Sequence, residues 1–161
     1  MLFARVCKLR DAAVLDGSRS LAADAARNLA ELLAHLAVIK QRRLFAAAGY
    51  PSMYDFCVHE LGLSEDASAR RLTAARLAAD HPQLFDAIAD QRLTLSTLLL
   101  LSPFVGAVSV AELIGGLAHK SHAASQEWLA ARFPQSALAT RMEFVNKDGS
   151  RTPADAGTTS S

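Results

Sequence analysis

Apolar residues return at three- and four-residue steps along most of this chain, and no window of strand length alternates apolar with polar positions. The pattern predicts an all-α protein. Residues 20–48 read as one long helix: Ser20 suits the N-cap, Asp24 the first turns, and Leu29, Leu32, Leu33, Leu36 and Ile39 form its apolar stripe. Gly49 stops it and Pro51 cannot continue it. Such a stripe serves a core or an interface. As an interface, Leu29, Leu33 and Leu36 would make the chain a protein-interaction or dimerisation module.

The punctuation continues. Ser52 with Asp55 imitates a capping box and opens a short helix through Leu61, which Gly62 ends. Ser64 caps the next helix, with Glu65 and Asp66 in its positive first turn, and His81-Pro82 closes it. Residues 83–89 form another short helix, and Thr94 or Ser96 starts a strongly apolar one whose four leucines, 98–101, leave no polar face and belong in the domain centre. Ser109 with Glu112 opens a helix through Ala118, and Ser121 opens a last one through Phe133, stopped by Pro134. Residues 1–18 suggest a short helix through Phe3, Val6 and Ala13. The organisation expected is an N-terminal segment (1–19), a helical domain (20–134) and a disordered tail (135–161) rich in Gly, Ser, Thr and Pro.

Composition agrees: Ala and Leu make up about a third of the 161 residues and both favour helix. Lys+Arg 17 against Asp+Glu 16 leaves a net charge of +1, so a nucleic-acid role must rest on a local patch. Arg5, Lys8 and Arg10 interrupt the one apolar stretch open to a signal sequence, and no apolar run approaches the roughly 20 residues that span a bilayer. A cytoplasmic protein without membrane contact is expected, with Cys7 and Cys57 as free thiols.

The most informative stretch runs from Tyr54 to Arg76: a short helix, a turn containing Gly62 and a longer helix, the spacing of a helix-turn-helix. Glycine there permits the positive φ that lets the helices cross steeply. Cys57 and Leu61 would pack inward, Leu63 would anchor the turn and Leu72 would hold the second helix. In a DNA reader of this shape, Ser64 and Ser68 approach base edges while Arg70, Arg71 and Arg76 meet phosphates, joined by Lys40, Arg42 and Arg43 from the long helix. Those last three cations equally suit the negative end of a helix dipole. From Ser64 to Arg92 there are four Arg against five Asp+Glu, a local balance of −1 that weakens any grip on phosphate.

The motifs GYPSMYDFC and LGLSEDASARR, within residues 27–134, resemble the helical N-terminal region of bacterial, notably myxobacterial, proteins that carry an HNH-endonuclease domain. LGLS, the Arg71-Leu72 pair and QRLTLS also resemble the helix-turn-helix of ParB-type partition proteins. The resemblance implies a helical module that binds or positions double-stranded DNA beside a nuclease. Gln91 stands where similar sequences commonly carry Gly, so a different turn is expected there.

An HNH site needs a ββα metal centre with histidines, and this chain has no histidine after His122 and no cysteine after Cys57. No GxSxG, Walker-type loop or GxGxxG occurs. His119 and His122 are three apart and would share a helix face, yet lack a third ligand nearby in sequence. No enzyme, metal or cofactor is expected.

Overall fold

Five helices begin where a hydroxyl takes over an orphaned backbone N–H. Ser52 Oγ accepts from the Asp55 N–H (3.0 Å), Ser64 from Ala67, Thr94 from Thr97, Ser109 from Glu112 and Ser121 from Ala124 (3.2 Å each). The computed structural model describes residues 1–134. Its helices are α1 (Leu2–Val6), α2 (Asp11–Gln41), α3 (Leu44–Ala47), α4 (Met53–Asp55), α5 (Glu65–Asp80), α6 (Gln83–Ala89), α7 (Leu95–Leu101), α8 (Val110–Leu117) and α9 (His122–Arg132). A π-helical turn, Phe56–Glu60, prolongs α4, and a 3-10 turn, Ser102–Phe104, prolongs α7. Among the described residues there is no strand, only an isolated bridge between Val105 and Val108. The fold is all-α, as the periodicity predicts. The tail expected to be disordered lies outside the described residues.

Helix α2 packs its C-terminal half against α5 and α6, while α7 lies between α5 and α9 and α8 closes on α6 and α9. Leu33, Leu36, Leu84, Ile88, Leu98, Leu101, Leu113 and Leu117 are almost wholly shielded from solvent. Leu33 and Leu36 therefore belong to the core, with Leu29 packed against it, so those two leucines are not free to face a second copy. Of the four consecutive leucines, Leu98 and Leu101 are buried and Leu99 and Leu100 only half so, because successive residues of α7 point about 100° apart and cannot all face its neighbours. No helix among the described residues is long and apolar enough to cross a membrane.

Two boundaries differ from expectation. The long helix starts at Asp11, so residues 11–19 belong to it and the N-terminal segment is confined to α1 and the link after it. Ala12 and Ala13 favour helix and Asp11 offsets the dipole, whereas Gly17 lowers propensity by only ~1 kcal/mol and does not stop the helix. At the other end α2 stops at Gln41, because Arg43 turns left-handed (φ 54°) before α3. Gln91 is also left-handed (φ 60°), keeping a conformation that glycine adopts without strain.

The π turn is the main local surprise. The Leu61 N–H donates to the Phe56 carbonyl, and beyond Gly62 (φ 65°) the Leu63 N–H returns to the Cys57 carbonyl at 3.1 Å. The extra residue in the turn rotates the next positions out of α-helical phase. Cys57 is therefore buried as expected, but Leu61 faces solvent instead of packing inward. Leu63 and Leu72 are half-buried against the core.

Candidate nucleic-acid interface

The short helix, the Gly62 turn and α5 follow one another in the expected order, so the question is which side of α5 remains free. Successive residues of an α-helix are about 100° apart. On that wheel the solvent-exposed positions Glu65, Asp66, Ala69, Arg76 and Asp80 share one face, and Ser68, Ala74, Ala75 and Ala78 occupy the buried opposite side. The free face carries three carboxylates and one guanidinium. That balance repels phosphate, and Glu65 and Asp66 occupy the very end of the helix dipole that would attract an anion.

The three arginines expected to act together point three ways. Arg70 reaches sideways: its Nη2 donates to Ser96 Oγ of α7 at 2.7 Å, and its Nη1 lies 3.9 Å from the exposed Asp66 carboxylate. Arg71 is directed into the buried side. Its Nη1 donates a long bond (3.4 Å) to the Ala67 carbonyl, and its Nε is enclosed without a partner among the described residues. Arg76 alone stays exposed, on the side turned to α2. Ser68 is fully buried, its hydroxyl likewise unpartnered, so it approaches no base edge; it lies one turn before Arg71 on the inward face. Ser64 is exposed, but its Oγ is engaged in the cap. Arg71 and Ser68 are thus withdrawn from the expected DNA-reading surface, while Arg70 stays partly exposed but tied to Ser96.

Of the expected cations, the structure brings Lys40 and Arg76 to one groove. Between α2, α5 and α6 runs an open groove of about 590 Å³ with an apolar floor that includes Leu36, Leu72 and Phe85 and with Lys40, Arg76 and Asp80 among its polar lining. Arg42 and Arg43 follow Lys40 with Gln41 between, and all three cations are exposed. Within the described residues, no carboxylate forms an ion pair with Lys40, Arg42, Arg43 or Arg76, whereas Arg19, Arg27, Arg70, Arg92 and Arg132 each have one. A helix C-terminus carries about half a negative charge, which three cations in four positions exceed several-fold.

Burial, the largest influence, pushes the Cys57 thiol up from its ordinary value, with the nearby Arg71 charge acting in the opposite direction. Cys7 is exposed. A thiol-specific disulfide reagent applied near pH 8 should therefore titrate Cys7 within minutes and Cys57 only on unfolding. Two equally fast thiols in the native chain would contradict the burial of Cys57. His119 sits left-handed (φ 58°) in the link before α9, its N–H bonded to the Arg92 carbonyl, while His122 begins α9, so the two do not share a helix face. No cluster of three or more metal-ligating side chains occurs among the described residues.

Sequence reasoning missed the Arg42-Arg43 break, which no glycine or proline marks; it grouped Arg76 with Lys40, but the groove that both line is made by tertiary packing. Comparison with protein-family models, with curated proteins and with solved structures finds no match to this chain.

Proposed function

We propose that this chain is a non-catalytic helical module that holds double-stranded DNA by its phosphates, through the basic end of α2 and not through α5. The observation that carries the reading is the group Lys40, Arg42 and Arg43, free of ion pairs among the described residues, with Arg76 across the groove. Contacts of this kind position a duplex without reading its sequence, since base edges require side chains that enter a groove and α5 offers mainly carboxylates there.

Four phosphate contacts release about 0.9 counterion each on B-form DNA, so the logarithm of affinity should fall against the logarithm of salt with a slope of about −3.6. Fluorescence-anisotropy titrations of a labelled duplex should accordingly weaken about 100-fold between 50 and 200 mM salt. The triple variant Lys40→Ala, Arg42→Ala, Arg43→Ala should leave a slope near −1, while Arg70→Ala changes it little. No binding at about 50 mM salt, or equal binding by the triple variant, would remove the proposal.

A further inference from the structure

The apolar stripe of α2 does not end where the globule ends. Towards the N-terminus it is continued, at the same three- and four-residue steps, by Val14, Leu15, Ser18, Leu21, Ala22 and Ala25. No residue before Ala30 is buried, and Leu15 and Leu21 are 57% and 70% exposed. Residues 11–26 of α2 thus project as an arm roughly 24 Å long. Ahead of it, α1 exposes Leu2, Phe3 and Val6 together with Arg5, and the link after it carries Lys8 and Arg10. Monomeric proteins rarely leave an apolar surface of this extent uncovered.

We propose that the occupant of this arm is the arm of a second copy, crossed antiparallel about a two-fold axis near Ser18. The small side chains Ser18, Ala22 and Ala25 allow close approach, and that crossing places Leu15 of each copy against Leu21 of the other. Charge selects the direction. Arg5, Lys8 and Arg10 form a +3 block with no ion pair among the described residues, so a parallel pair would stack two such blocks. In the antiparallel pair the block meets the region around Glu31, since Arg5 and Glu31 lie equally far from Ser18 along the chain. There a shallow groove of about 260 Å³ between α2 and α6 has Phe85 and Ala89 in its apolar lining, with the carboxylates Glu31 and Asp86, unpaired among the described residues. Its own cation, Arg27, is already committed to Asp24. The apolar and basic α1 of one copy therefore matches the apolar and acidic groove of the other in both respects. This dimer does not depend on DNA binding.

Sedimentation equilibrium of the full chain from about 1 to 100 µM, the range in which a modest interface declares itself, should show a reversible dimer. Leu15→Glu with Leu21→Glu should weaken it at least ~100-fold without loss of helical circular dichroism, since neither residue supports the core. Ser18→Cys in a Cys7→Ser background should oxidise to a covalent dimer, whereas the native Cys7 thiols, on opposite sides of the crossing, should not cross-link. A strict monomer throughout, or a dimer indifferent to the double glutamate variant, would refute the inference. Cross-linking through Cys7 but not through Ser18→Cys would refute the antiparallel register.

Discussion

Leu33→Ala should lower the free energy of unfolding by about 2–5 kcal/mol, while Leu15→Ala on the same stripe changes it by less than about 0.5 kcal/mol. Leu33 is fully buried between α2 and its neighbours α5 and α6, so truncation removes apolar contact on every side and leaves a cavity that rigid helices fill only in part. Leu15 is 57% exposed on the arm and touches no buried cluster. The two leucines, 18 residues apart, stand at the same angle on the helix, and only their tertiary surroundings differ. Domains of this size are stable by about 5–15 kcal/mol, so the Leu33 change consumes a large share and should be plain in urea midpoints. Both variants must be unfolded at protein concentrations dilute enough that association adds nothing. Equal losses at the two sites would mean that the arm is packed against something in the folded monomer.

The elements of this fold were legible wherever local physics decides. Ser52, Ser64, Thr94, Ser109 and Ser121 cap because an accepting hydroxyl is placed just before a helical run, and Gly62 turns left-handed because a side chain is penalised there. Ser96, the other candidate start for α7, instead receives Arg70. The break at Arg43 was hidden, since it is a left-handed residue that is not glycine, whereas the links that hold Gln91 and His119 were placed and only their left-handed backbone was not. The π turn was hidden too, since it depends on how Cys57 and Leu63 settle against α5.

The site was less legible, for a reason visible in α5 itself. Its inward side is made mostly of Ala74, Ala75 and Ala78, small residues that mark a buried face weakly, so Arg70 and Arg71 looked free to face outward. Yet two adjacent residues are about 100° apart and cannot both share the direction of Arg76. Arg71 is directed inward, where its charge acts on Cys57 and only part of the guanidinium finds a partner. Lys40, Arg42 and Arg43 needed no such geometry: at the end of a long helix, before a break, they remain on the surface under either reading of their role.

Gly115→Ala and Gly116→Ala, neighbours in α8, should move stability in opposite directions. Helix propensity alone would favour alanine at both by about 0.5–1 kcal/mol, because glycine loses more backbone freedom on folding. At Gly115 nothing lies within 4 Å of where a Cβ would stand, so that gain should be realised. At Gly116 the added carbon would fall well inside contact distance of Trp128 Cζ2 and Cη2. The indole is a rigid ring laid across the α8 backbone from α9, and it can yield only by leaving that seat. Displacing it forfeits the packing of the α8–α9 contact, and the net loss should be about 1–3 kcal/mol, the usual cost of forcing extra volume into a packed site. Trp128 is the one tryptophan in the chain, so its emission reports on the seat directly. Gly116→Ala should shift that emission to longer wavelength in the native state while Gly115→Ala leaves it unchanged. A stabilised Gly116→Ala protein with unshifted emission would show that α8 and α9 separate easily enough to admit a methyl group, and that the glycine is not what lets Trp128 lock them together.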